Sequence, residues 1–314
     1  MGIYKCDKCS FSCNKKHYFK NHLDTHNVKN NFKCNICSFR CNKYTNFKNH
    51  MLEEKKRFEN QKQFLKEYEK KSLEGIKKIN NIPKVVFVCW FSHKNEVPQF
   101  SQARFSALKN LISNIKVPII ILTENNYKNF ELENHKFNKS IEYLHGVHKS
   151  DYLRSYMLNF YGGGYHDIKY RNESWENCWE IDDWTKNKDI WMFGRREKNE
   201  NAIAYPPKFK HIQKLYNKMV TMGCIICRPN TKFTFELLSK QEEILDKYFE
   251  LLQKFPGKKP GGCYFENPFN KVPENSYPLR WCELLGEIYH PLMTIYSDKI
   301  KFGLPDMLKK KRYK

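Results

Sequence analysis

Two stretches of this sequence hold residues whose types and spacing could do chemistry. The first runs Val147-His148-Lys149-Ser150-Asp151-Tyr152-Leu153-Arg154 and continues to Phe160-Tyr161-Gly162-Gly163-Gly164-Tyr165-His166-Asp167-Ile168-Lys169. On a helix Asp151 and Arg154 are i, i+3 neighbours and project from one face. Leu153, Met157 and Phe160 form the stripe that packs this helix down. The glycines end the helix and permit backbone conformations that a Cβ would forbid. Asp167 comes next, at the start or end of a short strand. Carboxylates so placed can hydrogen-bond sugar and ribose hydroxyls or hold a hard divalent cation, and an arginine can meet a diphosphate. Taken singly, each part reads as a helix cap or a surface ion pair. Their joint spacing points to a binding site.

The second stretch is a repeat. Cys6, Cys9, Phe11, Cys13, Phe19, Asn21 and His22 recur 28 residues later as Cys34, Cys37, Phe39, Cys41, Phe47, Asn49 and His50. Cys6, Cys9, His22 and His26 have the spacing C-x2-C-x12-H-x3-H, in which two cysteines on a turn and two histidines on a helix close a tetrahedron around Zn²⁺. So small a module cannot fold on its apolar content, and structural zinc would supply its stability. The pattern resembles the C2H2 zinc-finger family, which implies a ββα module. Phe19 takes the family's core leucine position and Tyr4 its leading aromatic. Cys13 stands where a core Phe is usual, so Phe11 is expected to supply that packing.

The second copy matches at Cys34, Cys37 and His50, but Glu54 stands where the fourth ligand belongs. Either Glu54, Glu53 or water completes a weaker site, or this copy is degenerate. By the family's geometry the base-reading positions would be Lys15, Tyr18 and Asn21, then Lys43, Asn46 and Asn49. Two modules cover only about 6 bp, too few for unique addressing. Contact with nucleic acid through the basic surface and contact with protein both stay open.

The charge is +22 and points to polyanions. Residues 1–81 hold 19 Lys/Arg against 8 Asp/Glu, a net of +11, so half the excess sits in a quarter of the chain. No apolar run has the length to span a bilayer, and the N-terminus lacks the apolar core of a signal peptide. The expected location is cytoplasmic, with the nucleus as the other reducing compartment. The twelve cysteines then read as metal ligands and buried thiols, not as disulfides.

The elements that must position these residues can be read from the apolar pattern. Residues 1–30 form the first module, 31–54 the second and degenerate one, 55–81 a charged helical linker, 82–305 an α/β domain and 306–314 a basic tail. Phe58, Leu65, Tyr68, Leu73, Ile76 and Ile79, spaced mostly three to four apart among Lys and Glu, predict a helix from Leu52 towards Asn81. From Ile82 the texture changes. Lys84–Trp90 reads as a buried strand, Phe100–Ile115 as a helix, and Val117–Thr123 as a second strand. A short strand around Ile141–His145 leads into a helix over Lys149–Phe160. Ile190–Gly194 and Gly223–Cys227 read as further strands, and Lys232–Phe255 as one long helix. This alternation predicts a largely parallel sheet. Cys224 and Cys227 have metal-ligand spacing, but on a strand they point to opposite faces and read as buried thiols.

At Ser150-Asp151-x-x-Arg154 and Gly162-Gly163-Gly164-Tyr165-His166-Asp167-Ile168-Lys169 the sequence resembles glycosyltransferases with a DXD sugar-binding region, the mannosyltransferase-like and capsular polysaccharide synthesis proteins. Ile82-Pro83-Lys84 through Trp90-Phe91 resembles that group's opening segment. Weaker similarity continues through Gly223–Ile226 and Tyr277–Trp281 to His290-Pro291-Leu292. The resemblance covers roughly 220 residues. It implies a GT-A-type, Rossmann-like fold, a nucleotide-sugar donor, an unknown glycan, lipid or protein acceptor, and retention of anomeric configuration.

Carried over, Trp90 would stack on the base, and Ser150, Asp151 and Arg154 would contact sugar and ribose. Tyr165 would approach the nucleotide, and Asp167 would be the first DXD carboxylate. Lys169 stands in place of the second Asp, which usually binds Mn²⁺ or Mg²⁺. Three readings remain. Lys169 replaces the metal and, with Arg154 and Asp167, forms the catalytic set; a metal binds through Asp167 and a later residue such as His290; or catalysis is lost and binding kept. His290 otherwise reads as structural, and Trp281 and Glu283 as acceptor-side residues. The rival class is a zinc-finger nucleic-acid-binding or interaction protein whose α/β domain is inactive.

Overall fold

The computed structural model describes residues 3–7, 10–26, 32–34, 39–91, 100–205, 207–257 and 275–306. The chain divides into two compact units, Met1–Gln61 and Lys62–Lys314.

The first unit repeats one motif. Strands β1 (Tyr4–Lys5) and β2 (Ser12–Cys13) pair antiparallel and lead into helix α1 (Lys16–His26). Strands β3 (Phe32–Lys33) and β4 (Arg40–Cys41) do the same ahead of α2 (Tyr44–Glu69). Tyr4 stacks on Phe19 at 5.5 Å and Phe11 on His22 at 3.9 Å. Their counterparts, Phe32 on Phe47 and Phe39 on His50, stack at 5.5 and 4.0 Å. The amides of Cys6 and Cys34 donate to the carbonyls of Phe11 and Phe39 at 2.9 Å and tighten each hairpin. Both copies thus have the ββα shape; Phe11 stacks on the helix at His22 but is exposed.

Helix α2 is 26 residues long and does not stop at the repeat. Its last turns are part of the second unit, where Leu65 is 1% exposed and shares a core with Val86, Phe105 and Leu108. The helix expected to reach towards Asn81 ends at Glu69. A hairpin of β5 (Lys78–Ile79) and β6 (Ile82–Pro83) takes up the rest of that stretch. Its turn residues Asn80 and Asn81 have φ of 49° and 65°, the left-handed region that Asn tolerates and two-residue hairpins require.

The second unit then runs β7 (Val86–Cys89), α3 (Gln102–Ile115), β8 (Ile119–Leu122), α4 (Gly146–Phe160), β9 (Gly163–His166), α5 (Asp182–Thr185) and β10 (Met192–Arg196). After these come β11 (Val220–Cys227), α6 (Lys232–Lys247), α7 (Phe249–Lys254), α8 (Gly286–Ile295) and β12 (Ile300–Phe302). The six-stranded sheet has the order β12-β10-β11-β9-β7-β8. Strand β7 runs parallel to β8 and β9, and β10 to β12, while β11 is antiparallel to both its neighbours. The sheet is therefore mixed, with β11 alone reversed.

Strand alternation divides the core into two layers. Phe87, Cys89, Ile225 and Cys227 pack with α4, α6 and α8 on one face. Val86, Val88, Cys224 and Ile226 pack with α3 and Leu65 on the other. Cys224 and Cys227 thus lie in opposite layers, both fully buried.

Three local expectations change. Residues 139–143 form a 3₁₀ turn and not a strand, because Ile141 and Leu144 are buried at a spacing of three, a helical period. The helix expected over Lys149–Phe160 begins earlier, at Gly146, with His145 as its cap. The helix expected over Lys232–Phe255 breaks at Tyr248 (φ −98°, ψ 7°) into α6 and α7. Among the described residues, no helix is long and apolar enough to cross a membrane.

Candidate functional site

The site lies at the carboxyl edge of the sheet, where ligands of open α/β sheets bind. Helix α4 brings Asp151 and Arg154 to this edge, and β9 ends one residue before Asp167. Gly162 and Gly163, with φ of 70° and 90°, make the turn from α4 into β9. A Cβ on Gly162 would lie 2.6 Å from the Pro229 ring, so the tightness of this turn depends on glycine. The Asp167 amide then donates to the Gly223 carbonyl at 2.8 Å, which holds the aspartate against the start of β11.

Arg154 organises the interior of the site. Its Nη2 donates to Asp151 Oδ1 at 2.9 Å and lies 3.9 Å from Asp167 Oδ1. Its Nη1 donates to the Met222 carbonyl at 2.9 Å, and the guanidinium lies 4.1 Å from the Tyr165 ring centroid. The Tyr165 hydroxyl donates to Asp167 Oδ1 at 3.2 Å, and Lys169 Nζ donates to Asp167 Oδ2 at 2.7 Å. The side chains of Asp151 and Arg154 are 9% and 10% exposed, those of Asp167 and Lys169 29% and 28%. The second pair therefore faces the opening.

These environments separate the two carboxylates. Burial pushes the Asp151 carboxyl up to about 6, with Arg154 opposing the rise. Burial would raise Asp167 as well, but Lys169 and then Arg154 outweigh it and hold its carboxyl at about 2. Cys89, at the end of β7, shares this surrounding. Burial pushes its thiol up to about 12, so it is a neutral group among the charges.

The remaining candidates occupy several parts of the fold. Ser150 Oγ donates to the Gly146 carbonyl at 2.8 Å, within its own helix. Trp90 lies on the opposite face of the sheet from Asp151, stacked on Phe100 at 4.5 Å. Arg104, which sequence reasoning missed, connects it to the turn. The Arg104 guanidinium lies 5.9 Å from the Trp90 ring centroid, and Nη1 donates to the Ile168 carbonyl at 2.7 Å. No local motif marks Arg104, since its partner is 64 residues away.

His290 Nδ1 meets the Ala204 backbone at 2.8 Å, and burial lowers its pKa, as suits a structural histidine. His148, inside the motif, is structural too. Its Nδ1 and Nε2 meet the Tyr277 hydroxyl at 2.9 Å and the Arg280 carbonyl at 3.0 Å. Glu283 accepts from the Arg280 amide at 3.1 Å and the Tyr248 hydroxyl at 3.4 Å; Trp281 is half-buried beside it.

A divalent cation does not fit the residues as they stand. Asp167 has one oxygen engaged by Tyr165 and the other by Lys169, and among the described residues no group of three or more His, Cys, Asp or Glu could hold a metal. In the first unit, Cys6 and His22 are described, Cys9 and Cys37 lie outside the described residues, and His26 is placed by its backbone alone. The second copy has Cys34 buried beneath Met51 and His50 stacked on Phe39. Glu54 is 7% exposed and one of its carboxylate oxygens pairs with Arg57.

A mixed α/β sheet with a charged site at its carboxyl edge is consistent with a Rossmann-like glycosyltransferase fold. A family model described as capsular polysaccharide synthesis protein matches residues 29–254. The chain belongs to that family, which suggests a glycosyltransferase-like role in polysaccharide synthesis, with a sugar donor and an acceptor. No curated protein and no solved structure matches the chain.

Proposed function

We propose that the second unit is a GT-A-type glycosyltransferase that takes its sugar from a nucleotide-sugar donor and works without a divalent cation. The observation that carries this is the Lys169 ammonium, 2.7 Å from the carboxylate oxygen that a metal would otherwise share. In the transfer, the acceptor atom bonds to the anomeric carbon and gives up its proton to the departing diphosphate or to water. The bond between the anomeric carbon and the phosphate oxygen breaks, and negative charge develops on that diphosphate. Lys169 and Arg154 are the cations at hand to meet it, fixed in place before the reaction. Asp167 orients Lys169, and Asp151 orients Arg154. With Ser150, the two aspartates also offer acceptors to sugar and ribose hydroxyls. Tyr165 forms the floor beneath Arg154.

The test is calorimetry and turnover of the full chain with UDP- and GDP-sugars, with and without Mn²⁺. Activity that survives chelation and disappears in Asp167→Ala supports the reading. No binding of any donor overturns it.

For the first unit we infer a structural zinc site at Cys6, Cys9, His22 and His26. The ββα shape and the stacking of Phe11 on His22 support it. A unit with Tyr4, Phe11 and Tyr18 exposed has little core of its own, the circumstance in which metal binding supplies folding energy. Metal there would hold the hairpin to α1 and take no part in transfer.

A further inference from the structure

On the sheet face opposite α4, a row of polar side chains crosses three strands behind the Asp167 turn. His166 on β9 is the register partner of Cys224 on β11, and Arg195 on β10 hydrogen-bonds the Cys224 thiol. Arg171, from the loop after β9, covers the row with its guanidinium 4.8 Å from the Trp175 ring centroid. Trp175 in turn lies 5.2 Å from the His166 ring. The segment after β12 closes the far side: Pro305 accepts from Arg171 Nη2 at 3.2 Å, and Asp306 pairs with Arg195 Nη1 at 3.0 Å.

The charges in this row do not balance. Asp306 neutralises Arg195 and is shared with Lys198 at 2.6 Å. Arg171 is 0% exposed, and the carboxylate that acts on it, Glu173, is exposed and attracts it without forming an ion pair. Its Nε and Nη1, the Nε of Arg195 and the Nε1 of Trp175 are all buried without a hydrogen-bond partner. A guanidinium removed from water with two donor positions unmet is unfavourable unless a counter-charge completes it. Four orphaned N–H donor atoms around one fully buried cation therefore call for an acceptor. His166 is not among the donors: its Nδ1 donates to the Asp167 carbonyl, burial together with the Arg171 charge keeps the ring neutral, and its buried Nε2 is one acceptor without a partner against four such donor atoms.

We propose that Arg171, with Trp175 Nε1 and Arg195 Nε, holds a buried inorganic monoanion of the halide type behind the Asp167 turn. The full burial of Arg171 and Trp175 favours a small ion over phosphate. Through His166, which donates to the Asp167 carbonyl, the ion would stand one residue behind the donor site, but the proposal does not depend on the transferase reading.

The experiment uses the full chain. Chloride is exchanged for gluconate at constant ionic strength and thermal unfolding is followed. A saturable rise in Tm is expected, about 5–10 °C at a chloride concentration roughly 100-fold above its dissociation constant. Arg171→Met should lose that rise while Lys198→Met, on the exposed rim, keeps it. A crystal grown in bromide decides the matter even if the Arg171 variant does not fold. An anomalous peak within hydrogen-bond distance of Arg171 Nη1 or Nε supports the proposal. A Tm indifferent to the exchange, a water at that position, or bromide only on exposed lysines overturns it.

Discussion

Lys169 Nζ lies 2.7 Å from Asp167 Oδ2, so the ammonium engages one carboxylate oxygen while Arg154 approaches the other at 3.9 Å. Replacing the charge with an isosteric apolar group should therefore affect turnover more than donor binding. Lys169→Met is expected to lower kcat about 10²–10³-fold, the range found when one preorganised donor to a developing anion is removed. Lys169→Asp restores two carboxylates, and any activity it shows should depend on Mn²⁺. A Lys169→Met enzyme with unchanged kcat would remove Lys169 from the mechanism.

The two aspartates should titrate separately. Asp167, held at about 2, stays charged through the working range, while Asp151 is pushed up to about 6 by burial. Because its folded value lies above the ordinary carboxylate value, the native state takes up this proton first. Its stabilising share is complete below about pH 4 and is lost as pH rises through about 6. Donor affinity should move the other way. Below about pH 6 the neutral acid holds Arg154 less firmly, so Kd should rise there, and Asp151→Asn should flatten that inflection. A wild-type profile flat across roughly pH 5 to 8 would contradict this.

Gly146 seats the start of α4. A Cβ there would lie 2.6 Å from the Phe91 carbonyl oxygen, a backbone atom that cannot swing away. Gly146→Ala is expected to cost about 1–3 kcal/mol. It should also lower donor affinity, because Ser150 and Asp151 lie one turn further along the same helix. Denaturant unfolding and calorimetry on one sample would check both. A shift in neither would mean that the helix start is not constrained by Phe91.

The metal reading of the first unit gives a stoichiometry. Elemental analysis of the full chain should find about one zinc held through Cys6, Cys9, His22 and His26, the four ligands of one structural site. Cys6→Ala should lose it. Glu54→His supplies the second copy with the missing imidazole and should add an equivalent. A chain refolded in excess zinc that retains none would end this reading.

Much of the architecture was legible because burial leaves a period in the sequence. The strands at Val86 and Ile119 are unbroken apolar runs, and Asp151 and Arg154 share a face by helical spacing alone. The same logic could have placed Trp90: strand alternation from Phe87 and Cys89 puts it on the other face from α4. The features that stayed hidden are non-local. The reversed β11 looks like any buried strand, since direction is set by pairing partners and not by composition. Arg104 reaches the Ile168 carbonyl across the fold. Leu65 was visible as part of a helical stripe, but its partners were not, because they lie in a core that begins about twenty residues later.

The balance of charges around Lys169 also bears on how a diphosphate ligand would approach. Asp151 and Asp167 carry two negative charges, Arg154 and Lys169 two positive ones, so the four-residue set is electrically neutral at pH 7. An acidic motif would repel an approaching diphosphate until a metal arrived; this one neither repels nor draws it from a distance. Long-range attraction must come from the wider surface, on a chain whose formal charge is +22. Added salt should therefore slow donor association by screening that surface. Once formed, the complex should dissociate at nearly the same rate, because its closest contacts are within the reach of the ammonium and guanidinium and shielded from counter-ions.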